Sequence, residues 1–286
     1  MKTKERIFYY DFLRAFAIIA VIICHVDIFY GDLTAPWQII AKLTFHDIGR
    51  IGVPIFLMIS GALLLNRDYE LSDFLKRRFT RIVYPYILWM GLLSIGLICF
   101  KSSFPFIWSV IIGDFSVGWY FWTLVGIYLF IPILNSFVRD YGERGLEYFL
   151  IIWIITIFLQ MIHHYPLFTN FKLDFFVGYI GYPILGYYLI NKEFKFDEKK
   201  LIALLSILFV VSMAVYVYFD FNKIDLIRDI YLNIPMILIS SSFLLIIKNI
   251  DKLTSFKRIK DNIVGNAITS ISKYSYGMYF SHVIVL

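Results

Sequence analysis

Long apolar runs separated by short polar interruptions make up most of the chain. Runs long enough to cross a bilayer, about 17 to 25 residues, lie near residues 8 to 28, 48 to 65, 82 to 100, 119 to 138, 146 to 162, 175 to 190, 201 to 219 and 230 to 248. A ninth run begins near Tyr274 and is still apolar at Leu286. The pattern predicts an all-α fold, a polytopic integral membrane helical bundle of about nine spans with the ninth incomplete.

The ninth run is short for a membrane span. From Tyr274 it reaches about 20 Å, whereas the hydrocarbon core of a bilayer is about 30 Å thick. We therefore expect a single membrane domain over residues 1–286 that is truncated at its C-terminus, with a re-entrant last helix as the alternative. The first run is not a cleavable signal peptide, because it contains Asp11 and Arg14 and no small-residue cleavage site follows it.

Composition agrees with lipid as the main solvent. The 286 residues are 60% hydrophobic and 17% charged, with a mean hydropathy of +0.74. Ordinary globular chains are about 45–50% apolar and about 25% charged. The balance excludes a water-soluble domain, a disordered chain and a disulfide scaffold. Cys24 and Cys99 both lie in apolar runs, where cysteine is typical of a small buried hydrophobe.

The basic residues indicate the orientation of the chain, since cytoplasmic loops carry an excess of Lys and Arg. With the N-terminus inside, 20 of the 27 Lys and Arg residues fall in inside segments and six fall in outside loops. We therefore predict a cytoplasmic N-terminus in a multi-pass protein of the plasma membrane. The net charge of +6 then belongs to the cytoplasmic face, and no nucleic acid partner is expected.

The first span carries ionisable groups where lipid would otherwise lie. Arg14 and His25 are eleven residues apart, which is about 20° past three helical turns, so they share one face about 16.5 Å apart along the axis. Asp11, three residues before Arg14, can pair with it and lower the cost of its burial. An intramembrane ionisable residue is a functional candidate by default. The alternative is a structural pair of Asp11 and Arg14 with an interfacial His25.

The second span begins with glycine, proline and a further arginine. Small residues permit close helix contact, and Gly with Pro also marks backbone that can break near a cavity. Arg50 is placed near the outer mouth of the span, beside His46 and Asp47. Adjacent His and Asp can serve metal or base chemistry. On a loop such residues are more often only solvated, so no metal site is predicted.

Three arginines follow the second span on the cytoplasmic side. Arg77, Arg78 and Arg81, at i, i+1 and i+4, bring at least two guanidinium groups to one helical face. Arginine clusters recognise phosphate through bidentate hydrogen bonds. Stop-transfer charge, or attraction to anionic lipid, is the alternative interpretation of the same cluster.

Aromatic and histidine residues complete the set of candidates. Trp119 and Trp122 open the fourth span, where such side chains form an interfacial belt or, alternatively, stack on a sugar. His163 and His164, at an outer helix end, are interpreted as interfacial. His282 lies in the ninth span and is a supporting intramembrane candidate.

Residues 11–15, Asp-Phe-Leu-Arg-Ala, with His25 eleven positions after Arg14, resemble the Arg-x10-His signature of the membrane acyltransferase 3 family. Further segments resemble motifs of that family in the same order, at residues 49–61, 76–85, 120–124, 181–187 and 275–282. The resemblance covers essentially the whole chain. The family usually has a further span, which agrees with a missing C-terminal segment.

The resemblance implies a stand-alone O-acyltransferase without a fused extracytoplasmic domain. Such an enzyme would transfer an acyl group, most often acetyl from acetyl-CoA as co-substrate, to a hydroxyl of a cell-surface glycan or lipid-linked sugar, with no bound cofactor. In the expected mechanism Arg77, Arg78 and Arg81 dock the CoA phosphates, Arg14 lies deeper and His25 is the general base. The distance from Arg14 to His25 along the helix is comparable to a pantetheine arm.

Supporting roles are expected for the remaining candidates. Asp11 would hold the arginine of the first span in place, and His282 would support the site. Arg50, Trp119 and Trp122 are the candidates on the acceptor side.

Two other functions compete with acyl transfer. A transporter or exporter of an anion or glycan would also suit buried Arg, His and Asp on one helix, although the sequence has no evident inverted repeat. A receptor-like or scaffold membrane protein would leave the spacing of Arg14 and His25 unexplained.

Overall fold

Helices account for every regular element in the described part of the chain, which in this computed structural model comprises residues 7–26, 35–112, 118–162, 178–227, 229–252 and 259–285. The helices are α1 (Phe8–His25), α2 (Pro36–Arg50), α3 (Gly52–Leu64), α4 (Leu71–Cys99), α5 (Phe104–Ile112), α6 (Gly118–Ile162), α7 (Gly181–Asn191), α8 (Glu198–Phe221), α9 (Ile234–Ile250) and α10 (Ile263–Val285), with a 3-10 turn at Asp225–Ile227.

Among the described residues, five helical stretches are long and apolar enough to cross a bilayer. They are Phe8–His25, Pro36–Leu64, Leu71–Cys99, Gly118–Ile162 and Glu198–Phe221. The apolar helix α9 is shorter, at 17 residues. The predicted all-α, membrane-embedded fold is confirmed, while the number of spans and the cytoplasmic N-terminus stay predictions.

The second predicted span, 48 to 65, is longer in the structure than the sequence pattern indicated. The helix begins at Pro36, and α2 passes into α3 through Ile51, whose φ of −58° and ψ of −26° are themselves helical. Polar residues between 36 and 47 interrupt the apolar run, so hydropathy alone ends the span too early. Proline at the first helical position is the signal that marks the true start.

The fourth and fifth predicted spans form the single element α6, which is broken at Gly142. The φ of 57° and ψ of −146° at this residue lie outside the helical region. Glycine reaches a positive φ without a Cβ clash, so it interrupts the helix at little steric cost. The break falls in the polar stretch that the sequence placed between the two spans.

The last helix begins earlier than expected. The sequence placed its start near Tyr274, whereas α10 starts at Ile263 and contains 23 residues. At 1.5 Å per residue this helix is about 34 Å long, so the expected length of about 20 Å is wrong. The first eleven residues are too polar to register as an apolar run, although they continue the same helix.

The chain divides into two compact units. The first comprises Met1–Leu63 and Tyr141–Lys273, and the second comprises Leu64–Asp140 and Tyr274–Leu286.

Close helix contacts at glycine organise part of the first unit. A Cβ added to Gly49 would lie 2.6 Å from the Cβ of Cys24, and one added to Gly52 would lie 2.5 Å from the carbonyl oxygen of Ala17. Only glycine therefore lets α2 and α3 lie this close to α1. The expectation that these small residues serve close packing is confirmed.

Aromatic contacts join α4, α6 and α10 within the second unit. The Tyr86 ring stacks on Phe121 with ring centroids 3.8 Å apart and meets the edge of Phe280 at 5.6 Å. The Tyr276 hydroxyl donates a hydrogen bond of 3.2 Å to the backbone carbonyl of Ile82. Such pairs fix helices through geometry as well as through buried area.

Candidate functional site

The first span holds Asp11, Arg14 and His25 on one unbroken helix, α1. Asp11 is only 2% exposed, and its Oδ1 lies 4.0 Å from Nη1 of Arg14. The same Oδ1 accepts a hydrogen bond of 2.8 Å from Ser272 of α10. A separation of 4.0 Å is an ion pair without a direct hydrogen bond, so Ser272, which the sequence analysis did not single out, is the closer of these two partners.

His25 is the last residue of α1, and its ring bonds to the helix that carries it. Its Nδ1 lies 2.7 Å from the carbonyl oxygen of Val21, one turn earlier. A carbonyl oxygen can only accept, so Nδ1 carries the proton in this contact. The neutral ring then has its lone pair on Nε2, which is the form that a general base requires.

Arg50 lies within a partly buried polar cluster that we name the Arg50 cluster, formed by His46, Asp47, Arg50, Tyr216 and Asp220. The Arg50 Nη1 donates to Asp47 Oδ1 at 2.9 Å, to Tyr216 Oη at 3.1 Å and to Asp220 Oδ2 at 3.1 Å. The Asp47 side chain is fully buried and the Arg50 side chain is 12% exposed. The interpretation of His46 and Asp47 as solvated loop residues is therefore wrong, because both belong to α2.

The cluster also contains a set of potential metal ligands. One ligand atom each from His46, Asp47 and Asp220 lies within 4.8 Å of the others. Arg50 already bonds both carboxylates, so its guanidinium supplies the positive charge between them. The expectation that the protein holds no metal stays a prediction.

The Arg50 cluster and His25 are linked by the packing of α2 on α1. Gly49, next to Arg50, lies against Cys24, next to His25. The close contact at this pair brings the helix that carries the cluster against the end of α1 that carries the histidine.

In the second unit, Arg77, Arg78 and Arg81 of α4 line one cavity of about 390 Å³, which we name the arginine cavity. Arg67, which the sequence analysis did not single out, lines it as well. The other charged lining residues are Asp68, Glu70 and Asp73. Four guanidinium groups against three carboxylates give the cavity a net positive charge, which suits an anionic ligand.

Several of the cavity arginines have protein partners. Arg77 donates to Asp73 at 3.1 Å, and the Arg78 guanidinium lies over the ring of Phe74 at 5.7 Å from its centroid. Among the described residues, the side chains of Arg67 and Arg81 make no ion pair or hydrogen bond. These two guanidinium groups are the ones most available to a ligand.

Tyr69 adds an aromatic face and a hydroxyl to the arginine cavity. Its ring stacks on Phe74 with centroids 4.4 Å apart. Its hydroxyl is buried and has no hydrogen-bond partner within the described ranges. Burial raises the pKa of Tyr69, so the hydroxyl stays protonated at neutral pH and can donate to a bound acceptor.

The start of α4 determines where the cavity arginines lie. Glu70 caps the helix, since its carboxylate accepts hydrogen bonds from the backbone amides of Ser72 and Asp73. Asn135 fixes the preceding linker, accepting from the Arg67 amide at 3.1 Å and donating to its carbonyl at 2.8 Å. The sequence shows the arginine spacing, but it does not predict the hydrogen bonds between Asn135 and the Arg67 backbone, which is 68 residues away.

The tryptophan and histidine candidates of the second unit have mostly structural contacts. Trp122 is 53% exposed, and its indole nitrogen donates to the Ile112 carbonyl at the end of α5. Trp119 meets the edge of the Tyr120 ring. His282 is buried, and its Nδ1 contacts the Tyr279 carbonyl, so its ring, like that of His25, carries the proton on Nδ1. The predicted interfacial pair at residues 163 and 164 lies outside the described residues.

Comparison with known proteins agrees with the sequence resemblance. A family model described as an acyltransferase domain matches residues 7–286. The chain therefore belongs to this acyltransferase family. A protein of Acidianus two-tailed virus, ORF330, named as a candidate acetyltransferase, is 25% identical over 299 residues, which is 96% of this chain and 81% of the viral protein. No solved structure matches the chain.

Proposed function

We propose that this membrane acyltransferase transfers an acetyl group from acetyl-CoA to a hydroxyl of a cell-surface glycan or lipid-linked sugar, in the plasma membrane. The observation that carries the proposal is the orientation of the His25 ring. Because Nδ1 is bonded to the Val21 carbonyl, the basic nitrogen of the neutral ring is Nε2. In this tautomer the ring has the lone pair with which a general base accepts the proton of an attacking hydroxyl.

The transfer step follows from that base. His25 Nε2 takes the proton of the acceptor hydroxyl while the hydroxyl oxygen attacks the thioester carbonyl carbon. The carbon–sulfur bond then breaks, and the imidazolium returns the proton to the CoA sulfur. The products are an acetyl ester and free CoA, so atoms and charge balance.

The arginine cavity supports acyl-CoA as the donor. Arg77, Arg78 and Arg81, joined by Arg67, would bind the phosphates of the CoA nucleotide. The guanidinium groups of Arg67 and Arg81 have no ion pair or hydrogen bond to other described residues. Together with the net positive charge of the lining, they favour a phosphorylated ligand over a neutral one.

The remaining candidates have supporting roles in the same proposal. Arg14, whose side chain is 33% exposed, would bind an anionic part of the donor, held by its pairing with Asp11. Arg50 would face the acceptor. Trp119 and Trp122 would also line the acceptor side, and His282 would support the site.

Acetyl transfer by membranes tests the proposal. At matched expression, His25→Ala should reduce transfer of radiolabelled acetyl from acetyl-CoA by about 100-fold or more, since a positioned general base contributes about 10²–10⁴-fold. Arg14→Ala should also reduce it. Arg144→Ala is the matched control, because Arg144 is exposed and lies outside every proposed site. Wild-type rates in both His25→Ala and Arg14→Ala would contradict the proposal.

A second measurement identifies the acceptor. Surface polysaccharide and lipid-linked sugars from cells with and without the protein should differ in mass by one acetyl group per modified hydroxyl. A transporter would move its substrate without consuming acetyl-CoA, so a flux without a mass shift would favour transport.

A further inference from the structure

Cys24, near the end of α1, is a partly exposed free cysteine. The sequence pattern favoured a small buried hydrophobe at this position, so its exposure is a finding of the structure. A cysteine becomes a nucleophile when it is accessible and a neighbouring group promotes the loss of its proton, because the thiolate is the reactive form. Cys99 is exposed as well, so the neighbours of Cys24 decide whether its thiol has a chemical role.

A close helix contact brings Cys24 against α2. A Cβ added to Gly49 would lie 2.6 Å from the Cβ of Cys24, so only glycine at this position lets the two helices approach so closely. His46 precedes Gly49 by three residues, and residues three apart lie on the same helix face. The face of α2 that meets Cys24 therefore also carries His46.

The side chains of Cys24 and His46 form a hydrogen bond. On the other side of the ring, Nδ1 of His46 lies 3.5 Å from Oδ1 of Asp47. A carboxylate attracts a nitrogen that carries a proton, so the neutral ring has its proton on Nδ1 and its lone pair on Nε2. Nε2 is then the ring atom that remains for the thiol, and it can take the thiol proton.

The carboxylate behind the imidazole is fixed in its turn. Asp47 is fully buried, and its Oδ1 also accepts a hydrogen bond of 2.9 Å from Arg50. The His46 side chain is 22% exposed, so the ring lies between a buried carboxylate and a thiol that a substrate can reach. Cysteine, histidine and a carboxylate in this order form the usual set of groups for covalent acyl transfer.

We infer that Cys24 receives the acetyl group from acetyl-CoA before the acceptor does, with His46 as the base of this first step. The inference rests on the proposed function and divides its transfer reaction into two steps. It adds a catalytic nucleophile and a second histidine to the site, and it places the acetyl group on the residue next to His25.

Both steps balance in atoms and protons. His46 Nε2 takes the proton of the Cys24 thiol while the sulfur attacks the thioester carbonyl carbon of acetyl-CoA. The bond from this carbon to the CoA sulfur breaks, and CoA leaves as a thiol with the proton from His46. The acceptor hydroxyl, with His25 as its base, then attacks the Cys24 thioester in place of the CoA thioester, and the proton returns to the Cys24 sulfur. One thioester replaces another in the first step, so the acetyl group stays activated.

Acetyl-CoA without an acceptor tests the first step. The purified protein in phosphatidylcholine nanodiscs is mixed with radiolabelled acetyl-CoA, quenched in acid and digested for mass spectrometry. Acetyl should be found on Cys24 and be released by neutral hydroxylamine, which cleaves thioesters and leaves amides intact. Cys24→Ala should abolish this label. Cys99→Ala is the matched control, at the second of the two cysteines in the chain, and should keep it.

Three results of this experiment would overturn the inference. They are the absence of acetyl on Cys24, equal acetylation of both cysteines, and a hydroxylamine-sensitive label that persists in Cys24→Ala. Equal labelling would mean that acetyl-CoA modifies any exposed thiol, and a persistent label would place the acetyl group on another residue, such as His25.

A change at His46 tests the base. His46→Gln keeps a polar side chain that cannot accept the thiol proton at neutral pH, so acetylation of Cys24 in rapid-quench measurements should slow by about 100-fold. Thr44→Ala is the matched control on α2, since the Thr44 hydroxyl bonds to the Ile40 carbonyl of the same helix. Both rates are compared at equal amounts of folded protein from size exclusion. An unchanged rate in His46→Gln, or an equal loss in both variants, would overturn the inference.

Radiolabelled CoA keeps this inference apart from the proposed function. Free CoA can attack a thioester on Cys24, so label should pass from CoA into acetyl-CoA without any acceptor, and Cys24→Ala should abolish the exchange. Transfer to the acceptor at the wild-type rate in Cys24→Ala would overturn the covalent step and leave direct transfer intact. Exchange and acetylated Cys24 without an acetylated glycan or lipid-linked sugar would support the covalent step and reject that acceptor.

Discussion

The two units hold their arginines in opposite ways. In the Arg50 cluster, Arg50 is 12% exposed and bonds two carboxylates and a hydroxyl from α2 and α8. In the arginine cavity, Arg77 is 75% exposed and pairs with Asp73 one turn away, itself 60% exposed. Removing one partner of a buried pair leaves an uncompensated charge, whereas exposed pairs contribute about 0–1 kcal/mol. We therefore expect the first arrangement to contribute mainly to stability and the second to be available for reversible binding.

The largest expected effect is on stability, at Arg50. Arg50→Ala leaves Asp47 buried without its main counter-charge, and the free energy of unfolding should fall by about 3–5 kcal/mol. Arg81→Ala, in the arginine cavity, should change it by no more than about 0.5 kcal/mol. Denaturant unfolding of the purified proteins in detergent measures both.

A triple apolar replacement sharpens the same comparison. Replacing Arg50, Asp47 and Asp220 together by apolar residues removes all three charges at once, and stability should return close to that of the wild type. Equal stability of Arg50→Ala and Arg81→Ala would show that the buried cluster does not differ from the exposed one.

The next largest effect is on donor binding, in the arginine cavity. Arg67→Ala and Arg81→Ala each remove a guanidinium that has no partner among the residues that the structure describes. Each should raise the KM for acetyl-CoA by about tenfold while kcat and stability stay unchanged. Rising salt should weaken donor binding in the wild type more than in the variants, because screening acts on exposed charges. Arg144→Ala should behave as wild type. An unaltered KM in both cavity variants would mean that the arginines of the cavity serve only membrane topology or attraction to anionic lipid.

The comparison also explains what could be predicted from the sequence. Arg77, Arg78 and Arg81 are local neighbours, so helical spacing was enough to predict that at least two of them share one helix face, whereas the cavity that they line is known only from the structure. Asp11, Arg14 and His25 share one helix for the same reason. Asp47 is a local partner of Arg50 on α2, but the other two partners lie 166 and 170 residues away on α8, and no period within the sequence connects them.

The errors at element ends have a common physical cause. Residues 36–47 and 263–273 are helical but too polar to register as apolar runs, so α2 and α10 were predicted too short. Their polar residues are buried against protein in part, as Asp47 and Ser272 show, and hydropathy alone does not register such contacts. Ser272 was missed because its partner Asp11 lies 261 residues away in the sequence. Arg67 was missed because its position depends on the distant Asn135, which holds its backbone.

A smaller effect is expected at Tyr69. Tyr69→Phe removes a buried hydroxyl that has no partner in the described residues but keeps the ring stacked on Phe74. If the Tyr69 hydroxyl donates a hydrogen bond to bound acetyl-CoA, its loss should raise the KM for acetyl-CoA by about three- to tenfold, which corresponds to one hydrogen bond. Stability should stay constant or increase, since an unpaired buried group is lost. An unchanged KM would restrict donor binding in the cavity to its arginines.

The smallest effect is a local pH dependence at the start of α4. Hydrogen bonds from the Ser72 side chain and from the Asp73 and Ser72 amides lower the pKa of Glu70. A lowered folded-state pKa means that the cap stabilises fully above the unfolded pKa of about 4.3 and is lost as pH falls through the folded value. Hydrogen exchange of the first turn of α4 should therefore lose protection in acid relative to the rest of the helix.

Glu70→Gln supplies the control for that prediction. Glutamine can still accept a hydrogen bond but does not titrate, so protection of the Ser72 and Asp73 amides should no longer change between neutral pH and about pH 3 beyond the intrinsic exchange rate. The effect should remain confined to this turn, because Glu70 is exposed and caps only one helix. A loss of protection that spreads to α8 and its partners in the Arg50 cluster would mean that the exposed and buried charge arrangements are coupled, and the division of roles between them would fail.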